Sequence, residues 1–110
     1  MVHIEHINRV ELQGHVGNVR IKELNGTKVC NFTLATELLY KSREGVAIAE
    51  TTWHNVVAWE SSSQTADLSQ IAKGSAVHVT GRIRMNSYKS AEGEEKQYYE
   101  ILANSIQIMQ

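Results

Sequence analysis

The sequence predicts an all-β fold: a five-stranded barrel with one helix between strands three and four. Three observations carry that expectation. The 110 residues contain no proline and 7 glycines, so glycine must mark the turns. Runs that alternate apolar with polar residues, rich in Val, Ile and Thr, recur along most of the chain. Only one segment, after Trp59, changes to a helical spacing. The length suits one domain with its own core, so residues 1–110 are read as a single unit.

The first strand is "NRVELQGHVG", with Val10, Leu12, Gly14 and Val16 against Arg9, Glu11, Gln13 and His15; it runs on through "NVRIKE" after a bend at Gly17. Asn25-Gly26 then gives a strong two-residue hairpin signal. The second strand, "KVCNFTLAT", places Cys30, Phe32 and Leu34 on one face and Val29, Asn31, Thr33 and Ala35 on the other. "ELLYKSREGVAIAE", with Gly45 at its tip, reads as a long hairpin leading into the third strand, "TTWHNVVAW". In "SSSQTADLSQIAKG", Ser61 is the expected helix N-cap with Gln64 three residues on. Leu68, Ile71 and Ala72 form one helical face, and Gly74 ends the helix. The fourth strand, "SAVHVTGRIR", points Val77, Val79, Gly81 and Ile83 inward; a polar loop "MNSYKSAEGEEK" and a last strand "QYYEILANSIQIM" follow. Five strands in this order, with a helix after the third and glycines at the bends, is the order of an oligonucleotide/oligosaccharide-binding (OB) barrel.

Composition narrows the function. With 42% hydrophobic and 21% charged residues, the chain has a globular composition, and no apolar run reaches the length of a bilayer span, so no membrane partner is expected. The start carries no secretory pattern and Cys30 is alone, which fits a reducing, cytoplasmic setting. Eleven basic residues against 12 acidic ones exclude a protein that holds nucleic acid chiefly by a strong positive field. The charges are nonetheless segregated, because "GRIRMNSYK" carries Arg82, Arg84 and Lys89 with no acid until Glu92. The five histidines show no zinc spacing, the glycines form no phosphate loop, and "SSS" lies on no nucleophile elbow. No metal, no cofactor and no catalytic residue is therefore expected, and the chain is not read as an enzyme.

The aromatic residues point elsewhere. Alternation puts Trp53, Asn55, Val57 and Trp59 on one face of the third strand, away from Val56 and Ala58, which suit a core. Tyr40, at the base of the long hairpin, and Tyr88, in the loop after the fourth strand, lack the apolar neighbours of core positions. Arg82, Arg84, Asn86 and Tyr88 share a parity. Rings interleaved with cations suit single-stranded nucleic acid, whose bases stack on exposed rings at about 1–3 kcal/mol each while basic groups track the phosphates. His54, facing away from the tryptophans, is read as a core or subunit-contact residue.

The runs "NRVELQGHVG", "VCNFTLAT", "TTWHNVVAW", "IAKGSAVHVTGRIR" and "NSIQIM" resemble, in order and spacing, the core of the bacterial single-stranded DNA-binding protein (SSB) family, from Asn8 to Met109. The resemblance implies an OB fold that assembles into dimers and then tetramers, with stacking rings at Tyr40, Trp53, Trp59 and Tyr88. It implies sequence-tolerant protection of single-stranded DNA in replication, recombination and repair, with replication or repair proteins as further partners. Lys73 and Arg84 match basic positions of the family, and Lys41 and Arg43 join them as expected phosphate contacts. Asn55, Asn86 and Ser61 to Ser63 stand where basic or Gly-Lys residues are common, so binding is expected to be less salt-sensitive than usual. Glu11 and Gln13 replace residues that are usually apolar near the subunit contact. The chain ends at Gln110 without the Gly/Pro/Gln-rich linker and acidic tip of the family, which raises a second expectation: a primosomal-type OB module that docks proteins and binds single strands weakly.

Overall fold

The computed structural model describes residues 2–60, 64–65 and 68–109. Its strands are β1 (Val10–Leu24), β2 (Thr27–Lys41), β3 (Ala47–Trp59), β4 (Gln64–Thr65), β5 (Ala76–Lys89) and β6 (Glu95–Met109). Hydrogen bonding runs in the order β3-β2-β1-β5-β6-β4, and β6 also pairs with β3. That last, parallel contact, through Val56↔Ile101 and Val57↔Leu102, closes the five long strands into a barrel. Closure removes the free edges a five-stranded sheet would otherwise expose.

β1 serves both halves of the barrel. Val10 to His15 pair with β5, whereas His15 to Leu24 pair with β2, with a register shift between Val16 and Val19. Gly14 sits at the changeover because a Cβ there would run into the carbonyl oxygen of Ala35. The β1–β2 hairpin closes Leu24 against Thr27 over Asn25-Gly26, both at positive φ (52° and 80°). Two left-handed residues define a type I′ turn, whose twist matches that of the strands it joins, as the dipeptide predicted.

The interior follows the predicted alternation. Cys30, Phe32 and Leu34 of β2, Val56 and Ala58 of β3, Val77 and Val79 of β5, and Ile101 and Ile106 of β6 form one buried cluster. Each fully buried large aliphatic among them contributes about 1.5–3 kcal/mol through removal from water. Burial pushes the Cys30 thiol pKa up, so it is a core residue that resists ionisation.

The expected helix is not there among the described residues. Leu68–Gln70 form a single 3₁₀ turn, with the Ile71 N–H donating to the Leu68 carbonyl at 3.2 Å, and Gln64–Thr65 pair as a short parallel strand with Ser105 and Ile106. The cap expected at Ser61 lies outside the described residues. Leu68 and Ile71 are both buried as the spacing required, but Ala72 is exposed. A 3₁₀ turn has three residues per turn and aligns i with i+3, whereas an α-helix would also have turned i+4 inward.

A second correction concerns length. The polar stretch "MNSYKSAEGEEK" is mostly ladder, with β5 continuing to Lys89 and β6 beginning at Glu95. Likewise β2 runs on to Lys41, paired with Ala47. Tyr40 and Tyr88 thus stand on strands, on two ribbons that project past the closure of the barrel. Beyond the closure neither face meets a core, so no hydrophobic alternation marks those residues in the sequence.

Candidate nucleic-acid interface

Pairing registers define the outer face of the barrel. On β2 and β3 the opposed pairs Ala35↔Trp53, Thr33↔Asn55, Asn31↔Val57 and Val29↔Trp59 share the outward parity, although Val29 and Val57 are buried, and the inward pairs Leu34↔His54, Phe32↔Val56 and Cys30↔Ala58 back them. β1 extends this face with Arg20 beside Asn31 and Lys22 beside Val29. On the other side, closure sets Leu102 beside Val57, and the pairs Arg82↔Leu102, Arg84↔Glu100 and Asn86↔Tyr98 continue the same outward parity onto β5. A groove of about 500 Å³ crosses it, with Arg20, Lys22, Asn31, Asn55, Tyr98 and Glu100 among its walls.

Trp53 holds one end of the face. A Cβ on Gly17 would lie 2.6 Å from Trp53 Cζ3 and 2.6 Å from Thr33 Oγ1, so the indole rests over the bare backbone of the β1 bend. The bend is pinned by the Asn18 N–H, which donates to Thr33 Oγ1 at 3.0 Å. The ring is nevertheless 60% exposed, supported beneath and open to solvent elsewhere. Trp59 is half-buried at the other end of the same row. Farther out on the β5–β6 ribbon, Tyr88 and Tyr98 meet with ring centroids 5.9 Å apart and planes at 57°.

At the centre lies Glu100, only 5% exposed. Its Oε1 accepts from Arg84 Nε at 3.1 Å, Arg84 Nη2 at 2.7 Å and Asn86 Nδ2 at 3.3 Å. A buried carboxylate is tolerable only when paired and hydrogen-bonded, and here one guanidinium does most of that work. Arg84 is therefore placed on the expected face, but its charge is compensated by Glu100.

The remaining expected residues scatter. Tyr40 is opposite Ile48, five residues and about 17 Å of strand beyond Ala35, and its parity puts it on the other face of the ribbon from Trp53. Lys41 ends β2, and Arg43 lies in the turn held by the Ser42 N–H to Val46 carbonyl bond at 2.9 Å. Lys73 precedes Gly74, whose N–H donates to the Val16 carbonyl at 2.8 Å, so it adjoins the β1 bend. His54 is half-buried, with Nε2 2.9 Å from Thr36 Oγ1. Among the groove residues that the sequence reading passed over are Arg20, Lys22, Tyr98 and Glu100. Alternation within "NVRIKE" and "QYYEIL" holds the signal, because Arg20 and Lys22 are two residues apart and so share a face of β1, as Tyr98 and Glu100 share a face of β6.

A closed five-stranded barrel whose outer face joins rings, amides and cations belongs to the OB class, whose faces receive oligonucleotides or oligosaccharides. The Single-strand binding protein family model matches residues 7–109. The chain belongs to that family. Among its relatives, a single-stranded DNA-binding protein of Neisseria meningitidis serogroup A is 33% identical over 106 residues, covering 94% of this chain and 60% of the relative. Single-stranded DNA-binding protein 1 of Chlorobaculum tepidum is 34% identical over 108 residues, covering 94% of this chain and 65% of that protein. The chain thus spans less than two thirds of these relatives. Among solved structures, a Plasmodium falciparum SSB in complex with ssDNA superposes with a TM-score of 0.76 at 25% identity, covering 99% of this chain and all of that one.

Proposed function

We propose that this protein binds single-stranded DNA without sequence preference and without catalysis, as one domain over residues 1–110, and protects exposed strands in the cytoplasm during replication, recombination and repair. The observation that carries the reading is the supported, open indole of Trp53, two residues along β3 from Asn55, which lines a groove with Arg20, Lys22 and Tyr98. Family membership and the likeness to an SSB complexed with ssDNA support it.

In this reading Trp53, Trp59 and Tyr88 stack bases on the barrel face, joined by Tyr98 next to Tyr88. Tyr40 stacks on the far side of the β2–β3 ribbon, which requires the strand to pass around that ribbon. Arg20 and Lys22 contact phosphates on the face, and Lys41, Arg43 and Lys73 do so at its margins. Arg84 lies along the path of the strand with its charge held by Glu100, so it adds little to the salt dependence of binding. Copies associate as dimers or tetramers with His54 in the contact, and replication or repair proteins are further partners. Titration with oligo(dT) should quench tryptophan fluorescence, and Trp53→Ala should weaken binding by about 1–3 kcal/mol. Fluorescence unchanged at saturating strand would overturn the reading.

A further inference from the structure

Between the two projecting ribbons lies a second hollow, which shares Asn55 and Glu100 with the groove on the outer face. β3 and β6 pair only through Val56↔Ile101 and Val57↔Leu102, and on the Trp53 and Tyr99 side of those pairs the strands diverge. The gap is about 520 Å³, walled by Trp53, His54, Asn55, Ile83, Tyr99, Glu100 and Ile101. Ile83↔Ile101 and Met85↔Tyr99 are opposed pairs whose parity, deeper in the barrel, is that of the core. Ile101 is buried, whereas Ile83, Met85 and Tyr99 are 44%, 48% and 64% exposed. An apolar strip that should face an interior thus emerges at the barrel mouth, with a tyrosine ring on one lip and Trp53 on the other.

We infer that this cleft takes one nucleobase of the bound strand, with Tyr99 as a further stacking residue. The inference rests on the single-strand reading and extends it. Three features fit a base. Trp53, Ile83, Tyr99 and Ile101 make most of the wall apolar, as the faces of a base require. Two open rings flank the gap, one of them already the end of the outer-face row, so a strand leaving Trp53 can turn a base inward without breaking its path. Asn55 and Glu100 are among the lining residues, and a base inserted by its face still presents polar edges that need partners. Mouths of β-barrels are common ligand sites, and stacking is indifferent to base identity, so the cleft leaves binding sequence-tolerant.

The test is Tyr99→Ala, titrated with oligo(dT) and compared with wild type, Tyr99→Phe and Trp53→Ala. Tyr99→Ala should weaken binding by about 5- to 100-fold, the range of one lost stack, and Tyr99→Phe should restore it. A strand carrying one abasic residue, moved along the sequence, should show one position whose penalty disappears in Tyr99→Ala. Thermal unfolding should not change, because the side chain is exposed. If wild type and Tyr99→Ala bind equally, the cleft is empty of DNA while the single-strand reading stands; if wild type does not bind, both fall. A change in sedimentation without a change in affinity would assign the cleft to contact between copies and overturn the inference.

Discussion

Arg84 shows how a residue on the expected face can carry a structural task there as well. Its position among exposed rings suggested a phosphate contact, but the guanidinium gives two donors to Glu100 Oε1, and the carboxylate is buried at the seam of the barrel. Removing it leaves Glu100 with the single amide of Asn86, a weak partner for a charge in a low-dielectric site. Arg84→Ala should therefore cost about 1–2 kcal/mol of unfolding free energy in urea. That is the lower half of the about 1–3 kcal/mol for leaving a buried polar group without its partner, because the Arg84 side chain is 37% exposed and partly screened. The dependence of DNA affinity on salt should hardly move. A variant as stable as wild type, with a shallower salt slope, would instead make Arg84 a plain phosphate contact.

At the scale of elements, the segment between β3 and β5 is the place where pattern and structure part. Leu68 and Ile71 bury as an i, i+3 pair, which a 3₁₀ turn and an α-helix satisfy equally; only the exposed Ala72 separates them. Ile71→Ala should cost about 2–5 kcal/mol as a core truncation, while Ala72→Glu should be nearly silent in thermal or urea unfolding. A large penalty for Ala72→Glu would restore the helix. The strands were legible because half-buried ladders write their alternation into the chain, and Asn25-Gly26 fixed one hairpin outright. What alternation cannot say is which strands lie side by side. The groove residues Arg20 and Lys22 meet Tyr98 and Glu100 only because β6 returns to β3, a pairing between segments far apart in sequence. The β2–β3 ribbon is the long hairpin that Gly45 marks, but the β5–β6 ribbon looks like a polar loop in the sequence, because with solvent on both faces residues such as Tyr88 obey no burial pattern.

For the whole molecule the deciding quantity is charge against rings. A net charge of −1 gives no long-range field to gather phosphates, so affinity must come from stacking and from a few local cations. On the outer face, Arg20, Lys22 and Arg82 are exposed and form no ion pair among the described residues. Each phosphate neutralised on a single strand contributes about −0.7 to the slope of log K against log salt. Three face cations therefore set a slope of about −2 per barrel, and engagement of Lys41, Arg43 and Lys73 at the margins steepens it to about −4. Arg20→Ala should make the slope shallower by about 0.7 with little loss of tryptophan quenching, whereas Trp53→Ala should lower affinity equally at low and high salt. The two variants thus separate the forces that one titration adds together. A wild-type slope steeper than about −6 would mean that phosphates rather than rings hold the strand, and that the near-neutral chain concentrates its cations more effectively than this face shows.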